Sequence, residues 1–263
     1  MDNYLEINQK LWDAKVDAHV ASDFYQNESF LKGRNTLNEI ELGLLGDVKG
    51  LSVLHLQCHF GQDTISLSRM GAKTLGVDLS PKAIEKAREF AKATNTDAQF
   101  LWSDVYKVPE HVDGKFDMVF TTYGTIGWLP DLDKWARVIS CMLNPGGKLV
   151  FAEFHPVVWM FDIDFNYVQY NYFQDEAIVE TAEGTYTDGG NHLIDKEVSW
   201  NHSLGEVFQA LKHNNIQVTD FKEYDYSPYN CFKNMEEFEQ GKFRLKKFDK
   251  KLPLVYSILA EKI

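Results

Sequence analysis

Two acidic residues close two short apolar runs in this chain, Asp78 in Gly76-Val77-Asp78-Leu79-Ser80 and Asp104 in Trp102-Ser103-Asp104-Val105. An ionised carboxylate only accepts hydrogen bonds, so each acid can take them from a ligand's hydroxyl or amino groups. At the ends of successive parallel strands, Asp78 can accept from both ribose hydroxyls of an adenosine and repels a 2′-phosphate. Asp104, beside Ser103, can accept the exocyclic amine of adenine while Leu79 and Val105 cover the two faces of the ring. The competing reading of Asp78 is a strand-end or capping residue, although Ser80 already supplies a helix cap.

Ahead of both acids lies Val53 to Thr64, VLHLQCHFGQDT, an apolar strand that passes through Gln57, Cys58, His59 and Gly61 into a helix opened by Asp63 and Thr64. Such a passage offers unpaired helix N–H groups to a nucleotide. His55 within it reads as a buried strand histidine bonded to backbone. A fourth run, FDMVFTTYGTIGWLPDL, places Thr122, Tyr123 and Gly124 at its carboxyl end with Trp128 and Leu129 beyond. His155, in Phe154-His155-Pro156, falls at the same edge and titrates in a range useful to a general base; its alternative is a turn-stabilising histidine. His202 is a weaker candidate because it can simply precede a helix cap.

These residues need a scaffold that brings strand ends together. Residues 1–48 read as a helical cap, with Leu5, Leu11, Trp12, Val16 and Val20 on one stripe. Over 49–155, short apolar runs alternate with amphipathic stretches, the pattern of βαβ units in an α/β fold. Strands are expected at Ser52 to Leu56, Lys73 to Val77, Ala98 to Trp102, Phe116 to Thr121 and Lys148 to Glu153. Asn144-Pro145-Gly146-Gly147 is expected to turn into the last of these. Ser80 with Pro81 opens one helix, and Ser203 with Glu206 forms a capping box for another. Residues 156–200 read as an insertion, first dense in rings (Trp159, Phe161, Phe165, Tyr167, Tyr170, Tyr172, Phe173), then polar (ETAEGTYTDGGNH) and hairpin-like. The rings either pack the hairpin onto the core or form a lid over a pocket. Residues 201–263 supply a helix and the final strands.

Over roughly residues 50 to 155, and again in the C-terminal strands, the sequence resembles the class I S-adenosylmethionine-dependent methyltransferases. The resemblance rests on VLHLQCHFGQDT, the acids of GVDLS and SDV, the FDMVF strand and the LNPGGKLVFAE segment. It implies a Rossmann-like three-layer sandwich with a seven-stranded, mostly parallel sheet, an antiparallel last strand at Pro253 to Ala260, and one methyltransferase domain over 1–263. It also implies S-adenosylmethionine as cofactor and a small-molecule methyl acceptor. Cofactor-binding positions would be Gln57, Cys58, His59, Gly61, Asp63, Thr64, Asp78, Leu79, Ser103, Asp104, Val105, Thr122, Tyr123 and Gly124. Catalytic candidates are His155 as base and Tyr123, whose ring face can favour a sulfonium, as can those of Trp12 and Tyr25; core packing is the alternative for all three rings. The family's first motif has an acid and three alternating glycines, where this chain has His55, Gln57, His59 and Gly61. Gln57 and His59 can therefore narrow the pocket or contact the methionine carboxylate.

Composition bounds the rest. A formal net charge of -12 over 263 residues disfavours nucleic acid and anionic membranes as partners. Three scattered cysteines indicate neither a disulfide framework nor a zinc site, and a reducing compartment is expected. The start MDNYLEINQK lacks an export signal and no apolar run is long enough to span a membrane, so a cytoplasmic protein is expected. Two other functions compete: a nicotinamide oxidoreductase, which wants a GxGxxG loop that this chain lacks, and a non-catalytic adenosine-binding module, suggested by the lost glycines.

Overall fold

The computed structural model of the protein describes residues 3–173, 176–188, 190 and 193–263. Gly189, Asn191 and His192 of the expected hairpin, and Met1 and Asp2 of the N-terminal stretch, lie outside the described residues.

The cap is a long helix α1 (Tyr4–Ala21) followed by the short helices α2 (Asn27–Leu31) and α3 (Glu39–Leu45). Strands and helices then alternate: β1 (Ser52–Leu56), α4 (Gln62–Arg69), β2 (Lys73–Asp78), α5 (Pro81–Ala93), β3 (Gln99–Trp102), α6 (Val108–His111), β4 (Phe116–Thr122), α7 (Leu132–Met142) and β5 (Leu143–Phe154). The insertion contributes β6 (Ile178–Glu183) and β7 (Ile194–Ser199). The chain finishes with α8 (Leu204–His213), β8 (Ile216–Tyr224), β9 (Met235–Glu239), β10 (Lys242–Leu245) and β11 (Val255–Lys262).

The main sheet has seven strands in the order β3-β2-β1-β4-β5-β11-β8. The first five run parallel, and β11 lies antiparallel to both β5 and β8. This is the expected architecture, with the reversed strand one place in from the edge.

Successive strand residues face opposite sides, and both sides are covered, which is why these strands read as unbroken apolar runs. Leu54, Leu56, Val77 and Val119 pack with Trp135 and Ile139 of α7, while Val53, Met118, Phe120 and Val150 pack with Leu45 and Leu67 on the other face. Ser80 Oγ accepts from the Ala83 N–H and Pro81 follows it, so α5 begins where the sequence places it. The Ser203–Glu206 capping box opens α8 in the same way.

Asn144-Pro145-Gly146-Gly147 is not a turn before a strand but an irregularity inside β5. Phe116 pairs with Leu143 and Met118 with Lys148, so the intervening residues bulge out of register. Gly146 sits at φ 73, a torsion that glycine adopts without steric cost.

β6 and β7 form an antiparallel pair that rests on α1. Asn8 makes the join: its Nδ2 donates to Val198 O at 2.8 Å and its Oδ1 accepts from Val198 N at 3.0 Å, so one side-chain amide acts as an extra strand residue. Phe161 and Phe165 of the insertion gather with Phe232, Phe248, Leu245 and Leu254 in a small separate core, and they border the cavity described below together with Trp159, Tyr167 and Tyr170.

Candidate active site

The carboxyl ends of β1, β2, β3, β4 and β5 open into one cavity of about 1680 Å³. Its other walls come from α1, the Phe24–Tyr25 turn, the β6–β7 hairpin and the segment after β8, so the insertion closes over the sheet edge.

The loop after β1 decides whether an adenosine ligand has room. Gln57 (φ 57), His59 (φ 50) and Gly61 (φ 80) all adopt left-handed torsions. The alternation that the family builds from glycine is therefore kept by a glutamine and a histidine, at a cost of order 1 kcal/mol each. Both side chains are tied back. Gln57 Nε2 donates to Thr125 O at 2.8 Å, and His59 Nε2 lies 2.9 Å from His19 Nδ1, within a nest of rings from Trp12, Tyr25 and Phe60. Gly61 is needed for packing: a Cβ there would meet the Phe100 ring at 2.5 Å.

Asp78 ends β2 at the cavity wall. Its Oδ2 accepts from His59 N at 2.7 Å and its Oδ1 from Ser80 N at 2.8 Å, leaving a further lone pair on each oxygen. Burial raises its pKa to about 6, against the pull of those two N–H groups. Asp104 lies two residues past the end of β3, beside Ser103 and Val105, and its Oδ1 accepts from Tyr106 N at 3.0 Å. Burial also raises the Asp104 pKa. Cys58, Asp63, Leu79, Thr122, Tyr123 and Gly124 line the same cavity. Asp63 accepts from Thr36 Oγ1, and burial pushes its carboxyl upward.

Three expectations are corrected. Thr64 does not line the cavity: it is buried behind the loop, its Oγ1 2.8 Å from His55 Nδ1, which also corrects the expected backbone partner of His55. His155 is likewise off the cavity wall. It is 3% exposed, its Nδ1 accepts from Val157 N at 3.2 Å, and its Nε2 lies 3.0 Å from Glu223 Oε1. The backbone turns at Pro156, which itself lines the cavity, so His155 points to the β8 side of the sheet.

Tyr123 lies at the mouth of β4 with φ 48, and its hydroxyl donates to Glu41 Oε2 at 2.9 Å. Its ring stands edge-on to Tyr229, centroids 5.2 Å apart. Burial raises the Glu41 pKa to about 7, with nearby Asp63 adding to the shift.

Glu153 is a residue that the sequence reading missed. It is the penultimate residue of β5, is 2% exposed, and accepts from the backbone N–H groups of Gly124, Thr125, Ile126 and Phe154 and from Thr125 Oγ1. One carboxylate thus fixes the whole turn after β4, including the Thr125 carbonyl that holds Gln57. The available signal was an acid at the end of the apolar run LVFAE.

Comparison with known proteins agrees with this geometry. The family described as "Methyltransferase domain" matches residues 53–147. A ubiquinone biosynthesis O-methyltransferase of Xanthomonas oryzae is 27% identical over 138 residues, covering 51% of this chain and 57% of its own length. An uncharacterized methyltransferase of Synechocystis is 30% identical over 131 residues, covering 49% and 59%. The match thus spans little more than half the length of these relatives.

Two solved structures share the fold. An S-adenosylmethionine-dependent methyltransferase of Clostridium acetobutylicum is 19% identical, with TM-score 0.57, covering 99% of this chain and 98% of the other. A geranyl diphosphate C-methyltransferase of Streptomyces coelicolor, in complex with S-adenosyl-L-homocysteine, is 13% identical, with TM-score 0.56, covering 86% and 74%. Residues 53–147, with Asp78 and Asp104 among them, thus match the methyltransferase-domain family, and the seven-stranded chain shares the fold of solved S-adenosylmethionine-dependent methyltransferases.

Proposed function

We propose that this chain is a cytoplasmic enzyme that passes the methyl group of S-adenosylmethionine to a small-molecule acceptor, with residues 1–263 working as one domain. The observation that carries this reading is the pair of acids, at the end of β2 and just past that of β3, on one cavity wall, beside a β1 loop whose left-handed torsions and tied-back side chains leave the wall open.

The residues present fit the cofactor. Asp78 has acceptor capacity for the ribose hydroxyls, Asp104 for the adenine amine, and Leu79 and Val105 flank the ring position. When bound, the cofactor supplies a methyl group on a positive sulfur for in-line displacement. The protein's part is alignment and exclusion of water. Trp12, whose ring centroid lies 5.3 Å from that of Trp128, bridges the loops after β1 and β4 and narrows the opening. Tyr123 offers its ring to the cavity while Glu41 engages its hydroxyl, so its role is packing rather than proton transfer.

A typical ligand pocket holds about 300–1000 Å³. The 1680 Å³ found here accommodates an acceptor beside the cofactor. Oxygen acceptors are the first to test, because the ubiquinone relatives are named O-methyltransferases. Nucleic acid is a poor partner for a chain of net charge -12. Among the described residues no helix is long and apolar enough to cross a membrane.

The test is incubation with methyl-labelled S-adenosylmethionine and a panel of small phenols, alcohols, amines and thiols. Equal yields of labelled product and S-adenosylhomocysteine support the proposal. Failure of every acceptor class to take label counts against it.

A further inference from the structure

Lys15 lies on the cavity-facing side of α1. It is 6% exposed, yet it lines the cavity, and among the described residues its ammonium has no carboxylate within 4 Å and no hydrogen-bond acceptor. The contrast with another lysine of the same helix is direct: Lys10, five residues earlier, bridges to Asp195 at 2.7 Å across the surface. A largely buried lysine whose ammonium faces a cavity with no carboxylate beside it is free to pair with an anion that enters.

The surroundings indicate which group. Lys15 Nζ lies 5.3 Å from the centre of the Trp12 ring, and that ring stands 5.4 Å from His59 and 5.3 Å from Trp128. Lys15 therefore sits where the loops after β1 and β4 meet under the cap. His19, one turn on, and His59 both have lowered pKa values, from burial first; the charge of Lys15 adds to both shifts, behind that of His19 for His59. Burial lowers the Lys15 pKa, opposed by Glu197 and Asp195 on β7, neither of which reaches it. An incoming anion would favour the charged form and supply the missing partner.

We propose that Lys15 binds a carboxylate inside the cavity, carried by the cofactor's amino-acid tail or by the methyl acceptor. The first source rests on the methyltransferase reading above; the second does not require it. Both ask the same of Lys15, a charge-assisted hydrogen bond from its ammonium in a site shielded from water.

Calorimetry on the full chain separates the sources. S-adenosylhomocysteine carries the tail carboxylate and methylthioadenosine does not. If the tail is the source, Lys15→Met weakens S-adenosylhomocysteine by about tenfold to a hundredfold and leaves methylthioadenosine unchanged, while Lys15→Arg recovers most of the loss. Unchanged methylthioadenosine affinity also shows that the variant is folded; if Lys15→Met does not fold, Lys15→Gln takes its place.

If the acceptor is the source, S-adenosylhomocysteine affinity is unaltered, and benzoate binds the wild-type protein more tightly than benzamide, a preference that Lys15→Met abolishes. If neither pattern appears, with S-adenosylhomocysteine bound equally by both proteins and benzoate not preferred over benzamide, the proposal is overturned. Wild-type protein that fails to bind S-adenosylhomocysteine would overturn the methyltransferase reading instead, and the benzoate comparison on the free protein would then decide the role of Lys15.

Discussion

The backbone N–H of His59 donates to Asp78 Oδ2 at 2.7 Å, joining the loop after β1 to the acid that ends β2. The His59 ring meets His19 of α1, whose Nε2 reaches Thr185 Oγ1 beyond β6. Sheet edge, cap and insertion are thus connected through one residue at a position where the family keeps glycine.

Affinity for S-adenosylhomocysteine should rise with pH. The raised pKa of Asp78, about 6, means that its ionised form is disfavoured by burial in the free protein. Ribose hydroxyls donate to the ionised form, so binding draws the pKa down and releases a proton below about pH 6. Calorimetry in buffers of different ionisation enthalpy should show that release, with affinity levelling off above about pH 7. A flat profile would mean that Asp78 does not meet the ligand.

The same shift sets the sign for folding. A carboxyl whose pKa is higher folded than unfolded favours the native state most below the unfolded value, and that contribution is lost as pH rises through about 6. Asp78→Asn should remove this part of the pH dependence in urea titrations of the free protein. Retention of the same slope would assign it to another group.

Glu153→Ala should cost about 3 kcal/mol or more, because it strands several buried N–H donors at once. Urea unfolding measures it. A loss below about 1 kcal/mol would show that water or a rearranged turn replaces the carboxylate.

Asn8→Ala should loosen the hairpin from α1, costing about 1–3 kcal/mol and speeding amide exchange at Val198. Unchanged exchange there would show that the hairpin is held by other contacts.

His155→Ala should leave turnover within about twofold, since the side chain faces Glu223 rather than the cavity. A large fall in kcat with normal cofactor affinity would restore it as the base.

The sheet was legible because buried parallel strands declare themselves as apolar runs, and because Asp78 and Asp104 each interrupt such a run at its end. Only the strand limits shifted: β4 ends at Thr122 rather than Thr121, and β5 absorbs the Asn-Pro-Gly-Gly bulge. The side a residue faces was harder to read. His155 and Pro156 are adjacent, yet only Pro156 reaches the cavity. Thr64 was placed by its distance from the motif, but helix geometry turned it toward His55. The upper walls were not legible at all. Asn8 with Val198, His19 with Thr185 and Tyr123 with Glu41 are pairs brought together by tertiary folding, and no local pattern announces them.

The most direct measurement is a crystal structure of the protein with S-adenosylhomocysteine. The account predicts the ribose against the Asp78 carboxylate, the adenine between Leu79 and Val105, and Gln57 still bonded to the Thr125 carbonyl. An empty sheet edge with the Gln57 or His59 side chain occupying it, and Asp78 turned to solvent, would contradict it.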